Sequence, residues 1–68
     1  MSFYEALFLL EEGMPIRRKA WLDIFYIKLI HRQDITKSYF AAVDFAGEVS
    51  FDYQLSAEDI IANDWEVI

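Results

Sequence analysis

The fold is decided by an N-terminal stretch at residues 2–13, which reads SFYEALFLLEEG. Ser2 and Glu5 form a capping box, in which each side chain accepts a hydrogen bond from the other residue's backbone amide. Gly13 supplies a left-handed residue that ends a helix, and Pro15 prevents its continuation. We therefore predict a helix over the first twelve residues, with four apolar residues at helical spacing on its buried face: Phe3, Ala6, Leu7 and Leu10.

Segments rich in β-branched and aromatic residues follow this helix and predict strands. The predicted strands are residues 24–30, 39–45, 48–53 and an edge strand at 65–68, with residues 16–21 as an extended segment or a short strand. The polar run from His31 to Asp34 predicts a connection, and Ala46-Gly47 predicts a hairpin tip.

A second capping box, Ser56 with Asp59, predicts a short helix through about Ala62. The order of elements indicates an α+β fold in which the N-terminal helix packs on a small antiparallel sheet of four to five strands, with a short helix near the C-terminus. Sixty-eight residues are too few for two cores, so residues 1–68 are predicted to form a single domain.

The composition favours self-association. The chain has no cysteine and one histidine, so disulfides are excluded and we expect no metal or other cofactor. Twelve of the 68 residues are aromatic, more than so small an interior can bury. We expect a homo-oligomer, either a dimer or a tetramer.

Charge and hydropathy limit the partners. The net charge of −6 argues against binding duplex nucleic acid, which requires a basic face. No apolar run approaches the roughly 18 residues needed to cross a bilayer, and no signal peptide is visible, so we expect no membrane partner and a cytoplasmic location. No enzyme is expected either, because His31 has no nucleophile or base beside it and the two glycines form no phosphate loop.

Trp21 and Arg18 are the most interesting pair of residues. An indole can stack on a base, and a guanidinium can bind a phosphate through two parallel hydrogen bonds. The alternative, which composition alone favours, places Trp21 in the core and Arg18 on the surface. The helix that opens at Ser56 could also meet an anion through its free amides, although Asp59 would oppose a phosphate there.

The two ends of the chain resemble a known family. The opening Phe3-x-Glu5-Ala6-Leu7-x-x-Leu10-x-x-Gly13, with Ile16-x-Arg18-x-x-Trp21 after it, is similar to the start of the phage Thoeris anti-defence 2 family, formerly a domain of unknown function. The close, from Ser56-x-x-Asp59 to Asp64-Trp65-Glu66-Val67, resembles the end of that family.

The resemblance implies a small oligomer that sequesters a nucleotide immune signal without cleaving it. The implied ligand is the cyclic ADP-ribose isomer of Thoeris or a cyclic oligonucleotide, held in the cytoplasm of the host cell. The residues that carry over by motif position are Trp21, Arg18 and Phe3, while Tyr53 stands where the family has a tryptophan. The alternative is an acidic protein–protein inhibitor or nucleic-acid mimic of a host defence protein, which would be insensitive to Trp21→Ala.

Overall fold

The computed structural model describes residues 1–32 and 37–68. In chain order the described elements are α1 (Phe3–Glu11), β1 (Ile16–Arg18), β2 (Ile24–Arg32), β3 (Lys37–Asp44), β4 (Val49–Ser50), α2 (Ala57–Ile61) and β5 (Trp65–Val67). These strands form one antiparallel sheet in the order β4-β3-β2-β1-β5. This confirms the predicted α+β class, with the N-terminal helix, the small sheet and the short helix near the C-terminus.

Helix α1 begins at the predicted capping box. The Ser2 hydroxyl accepts from the Glu5 amide at 3.2 Å, and the Glu5 carboxylate accepts from the Ser2 amide at 3.1 Å. The helix is shorter than predicted, nine residues rather than twelve, because Glu12 is its C-cap and Gly13 follows with a φ of +88°. Its buried face includes the fully buried Ala6 and Leu10, as the apolar spacing predicts.

The core lies between α1 and one face of the sheet. Ile16 pairs with Ile27, and Ile27 pairs with Ala42, so three neighbouring strands present a row of buried apolar side chains. Side chains alternate between the two faces of a strand. The residues that precede and follow each member of this row along its strand therefore point away from α1. Trp65, on the edge strand β5, is buried within the same cluster.

The boundaries of β2 differ from the sequence prediction. A connection beginning at His31 is wrong, because His31 and Arg32 continue the ladder opposite Ser38 and Lys37. The histidine Nδ1 also lies 2.7 Å from the Ser38 hydroxyl. The rest of the predicted connection, Gln33 and Asp34, lies outside the described residues.

The hairpin tip at Ala46-Gly47 is confirmed. Gly47 has a φ of +86°, and the Asp44 carboxylate accepts hydrogen bonds from the amides of Ala46 and Glu48, each at 2.9 Å. The strand predicted over residues 48–53 is mostly wrong, because only Val49–Ser50 pairs with β3 and the chain then turns through Asp52 at a φ of +58°.

One further boundary differs. Strand β1 ends at Arg18 rather than at Trp21, whose amide turns back to donate to the Arg18 carbonyl at 3.1 Å. Strand β5 lies at the edge of the sheet, as predicted. Within residues 1–32 and 37–68, no helix is long and apolar enough to cross a membrane.

We predict that Leu10→Ala destabilises the fold by about 3 kcal/mol, because it removes buried methyl groups and leaves a cavity under α1. For a domain of this size that loss corresponds to a fall in Tm of roughly 12–24 °C. The matched control is Leu22→Ala, since Leu22 is 91% exposed. Thermal denaturation followed by circular dichroism would contradict the assignment of the core if the two variants melted together.

Candidate functional site

A buried carboxylate lies at the centre of the region where the predicted site residues meet. Asp59, in α2, is only 7% exposed. Its Oδ1 accepts hydrogen bonds from the Arg18 guanidinium at 2.8 Å and from the Trp21 indole at 3.2 Å. Its Oδ2 accepts from the Ser56 amide at 3.2 Å, and the Ser56 hydroxyl in return accepts from the Asp59 amide. We call Asp59, Arg18, Trp21, Ser56 and Asp64 the Asp59 cluster.

Arg18 is held by two carboxylates. Its Nε donates to Asp64 at 2.8 Å, while its Nη1 donates to Asp59 at 2.8 Å. Asp64 also accepts from the Ala20 amide at 3.1 Å, which fixes the turn after β1. The positive charge of Arg18 is therefore matched inside the protein, by acids that lie more than 40 residues away in the chain.

The acids of the cluster remain ionised at neutral pH. Burial alone raises the pKa of Asp59, but the hydrogen bonds from Arg18, Ser56 and Trp21 together outweigh it and hold that pKa below its usual value. The hydrogen bonds from Arg18 lower the pKa of Asp64 as well. Asp64 in turn raises the pKa of Arg18 above its already high value, with Asp59 adding to the effect.

Aromatic rings extend outward from this cluster. Trp65 donates its indole N–H to the Asp59 carbonyl at 2.9 Å and packs against Phe3 and Trp21, with ring centroids 5.3 Å and 5.2 Å away. Trp21 contacts Tyr53 edge-to-face at 6.2 Å. Burial raises the pKa of Tyr53, so its hydroxyl stays protonated at neutral pH. The Asp59 cluster therefore holds a series of contacting rings that runs from Trp65 through Trp21 to Tyr53.

A groove lies beside these rings. It runs between the first half of β3 and the segment 51–55, where the Tyr53 amide donates to the Phe40 carbonyl at 2.8 Å. The groove consists of two open hollows, one of about 490 Å³ and one of about 730 Å³, which share Ser38, Tyr39 and Asp52. Both volumes fall within the range of small-molecule sites.

The two hollows differ in chemistry. The smaller one has aromatic and aliphatic walls that include Phe3, Phe40 and Tyr53. The larger one is lined by Arg32 and Lys37, with Phe51 in edge-to-face contact with Tyr39 at 6.3 Å. The groove is therefore apolar at one end and basic and aromatic at the other.

The five residues predicted from sequence come together but do not share one surface. Phe3 and Tyr53 line the groove. Trp21 is half-buried and contacts the ring of Tyr53. Arg18 donates to Oδ1 of Asp59, and the Ser56 amide donates to Oδ2.

Sequence reasoning missed several residues of this region. The sequence indicates Asp59 only as a helix cap, whereas in the structure it also binds Arg18 and Trp21. The sequence predicts a strand at Tyr39 and Phe40, close to Lys37, and indicates no binding role for these three residues. The alternation of β3 could have shown that Tyr39 and Phe40 point to opposite faces, but it gives no sign of a groove formed with a distant segment.

The fold and this region define a class: a small helix-on-sheet domain with a ligand-sized groove at one edge of its sheet. The whole chain, residues 1–68, matches the family model of the Thoeris anti-defense 2-like domain. The chain therefore belongs to that family, and the resemblance seen at its two ends is confirmed. No curated protein matches the chain. Membership supports a phage anti-defence role directed at Thoeris signalling.

We predict that Asp59→Asn destabilises the protein by about 2 kcal/mol, because it removes the charge opposite Arg18 and disturbs a buried set of hydrogen bonds. The control is Glu58→Gln, one residue earlier and exposed, which should cost less than about 0.5 kcal/mol. Urea denaturation measures both. Equal stability of the two variants would show that the Asp59 cluster does not hold the fold together.

We expect acid to lower the free energy of unfolding of the wild type over a defined pH range. Asp59 and Asp64 have pKa values lowered by folding, so their contribution is present above the unfolded value of about 3.9 and is lost as pH falls through the folded values. We expect the free energy of unfolding to fall from about pH 5 to pH 2 more steeply in the wild type than in Asp64→Asn. Glu58→Gln, as control, should retain the steep profile, and identical slopes for all three proteins would contradict the prediction.

Proposed function

We propose that this protein binds a small nucleotide immune signal in the host cell and sequesters it without transforming it. The signal is the cyclic ADP-ribose isomer of Thoeris or a cyclic oligonucleotide. Family membership supports the Thoeris context. The observation that carries the proposal is the groove at the edge of the sheet, whose apolar end continues into a basic and aromatic end.

The groove offers a chemically suitable contact for each part of such a ligand. Rings such as Tyr53 and Phe40 present apolar surface against which a base can pack. Lys37 supplies positive charge for the phosphates. Asp52 lies between the two ends and can accept hydrogen bonds from ribose hydroxyls. The order base, ribose, phosphate follows the groove from its apolar to its basic end.

Arg18 takes a positioning role in this proposal. Its guanidinium is already bound by Asp59 and Asp64, and replacing either contact by a phosphate would leave a carboxylate unpaired beside an anion. Trp21 likewise acts through Tyr53, whose ring it contacts. The cluster keeps the groove wall in place, and the groove makes the contacts with the ligand.

We also propose that the working form is a homo-oligomer in which a second copy helps to close the groove. The larger hollow is open to solvent, and Phe51 at its rim is 69% exposed. Large apolar side chains elsewhere are also exposed, among them Leu22, Phe45 and Ile61. Burying such residues between subunits would supply the stability that a small core lacks.

We predict that a cyclic ADP-ribose isomer or a cyclic dinucleotide raises the Tm of the wild type by roughly 10 °C or more at a ligand concentration 100 times the Kd. Heating the complex should release the ligand chemically intact, as judged by chromatography. A ligand recovered as a cleaved product would show turnover. No shift with any nucleotide would favour the acidic protein–protein inhibitor instead.

Lys37→Gln should weaken binding about tenfold and reduce its dependence on salt, because it removes one charge from the phosphate end of the groove. The matched control is Lys28→Gln, since Lys28 is exposed on the same sheet but outside the groove. Isothermal titration at two salt concentrations measures both. Equal affinities of the two variants would place the phosphates elsewhere.

A further inference from the structure

One residue of the groove wall has an unusual backbone conformation. Asp52 has a φ of +58°, which lies in the left-handed region that residues with a side chain rarely adopt. Among the residues that the structure describes, the others with a positive φ are both glycines, Gly13 and Gly47. A left-handed residue other than glycine costs free energy, so the surrounding structure has to stabilise it. A glycine at position 52 would make the same turn without that cost.

The carboxylate of Asp52 does not stabilise this turn. Aspartate tolerates the left-handed region best when its side chain bonds to nearby backbone amides. Asp44 makes bonds of that kind at the hairpin tip, where its carboxylate accepts from the amides of Ala46 and Glu48. The Asp52 carboxylate, by contrast, makes no hydrogen bond or ion pair with another residue in the described part of the chain. The fold itself therefore gives no reason for a carboxylate at position 52.

The position of Asp52 in the groove does give a reason. Asp52 is exposed and, with Ser38 and Tyr39, it lines both hollows. It therefore lies where the apolar end of the groove meets the end that carries Lys37. An ionised carboxylate only accepts hydrogen bonds, and its two oxygens can accept from two neighbouring hydroxyls at once. A phosphate placed there would be repelled, because like charges at close range disfavour each other.

We propose that Asp52 selects the ligand of the groove by binding two neighbouring free hydroxyls of a ribose, a role that rests on the proposed nucleotide function. The ligand class is a nucleotide in which one ribose keeps both of these hydroxyls unesterified. A cyclic ADP-ribose isomer with such a ribose belongs to this class. In a 3′,5′-cyclic dinucleotide each ribose keeps a single free hydroxyl, so only one of the two hydrogen bonds forms. Asp52 therefore favours the cyclic ADP-ribose isomer.

The test is isothermal titration of the full chain with two probes. One is a cyclic ADP-ribose isomer that keeps two neighbouring hydroxyls on one ribose, and the other is 3′,5′-cyclic diadenylate. The wild type should bind the first probe about tenfold more tightly, the effect of one additional hydrogen bond to a carboxylate. Asp52→Gly should bind both probes equally. Its Tm should not fall, and relief of the backbone cost should raise it by about 2–4 °C.

Two further variants separate the carboxylate from the backbone. Asp52→Asn tolerates the left-handed region as aspartate does but has one acceptor oxygen, so it should lose most of the preference with little change in Tm. The control for charge is Glu48→Gln, which removes an exposed carboxylate outside both hollows and should keep the full preference.

The outcomes distinguish the role of Asp52 from nucleotide binding itself. Equal wild-type affinities for the two probes, or an undiminished preference in Asp52→Gly, would overturn the role of Asp52 and leave nucleotide binding in place. A fall in the Tm of Asp52→Gly would show that the carboxylate holds the turn, which would also overturn that role. No binding of either probe by the wild type would contradict the proposed function and, with it, the selection by Asp52.

Discussion

The rest of the structure depends on the ion pair and the hydrogen bonds that the buried carboxylate of Asp59 makes. This carboxylate binds Arg18 at the end of β1, Trp21 in the turn after it, and the N-terminus of its own helix. The carbonyl of the same residue holds the Trp65 indole at the edge of the sheet. A carboxylate buried this deeply is tolerated only because every one of these donors is present. The two ends of the sequence therefore meet around a single side chain.

This arrangement separates the residues that hold the fold from those that we propose to contact a ligand. Arg18 and Trp21 bind Asp59, and Trp21 contacts the ring of Tyr53. The groove itself runs between β3 and the segment 51–55. The separation also explains how an acidic chain can be proposed to hold an anion. The two carboxylates of the Asp59 cluster share the positive charge of Arg18, while Lys37 and Arg32 line the far end of the groove.

Sequence reasoning was accurate where structure is local. Both capping boxes and the Gly47 hairpin tip depend on neighbours within four residues, and all three are confirmed. The end of β2 was predicted wrongly because cross-strand pairing with β3, rather than polarity, decides where that strand stops. The groove could not be predicted, since its walls come from α1, β2, β3, α2 and the segment 51–55, which are distant in the chain. The family resemblance indicates Phe3 and Tyr53, but no local pattern in the sequence indicates that Arg18 pairs with two remote aspartates.

The central claim is that a nucleotide occupies the groove while the Asp59 cluster stays intact. Titration of the isotope-labelled protein with a cyclic ADP-ribose isomer, followed through amide chemical shifts, tests it most directly. We predict that the largest changes fall on residues 38–40 and 51–55, and that the indole signal of Trp65 moves little. Changes concentrated on the outer face of α1, or release of the Trp65 indole from Asp59, would contradict it.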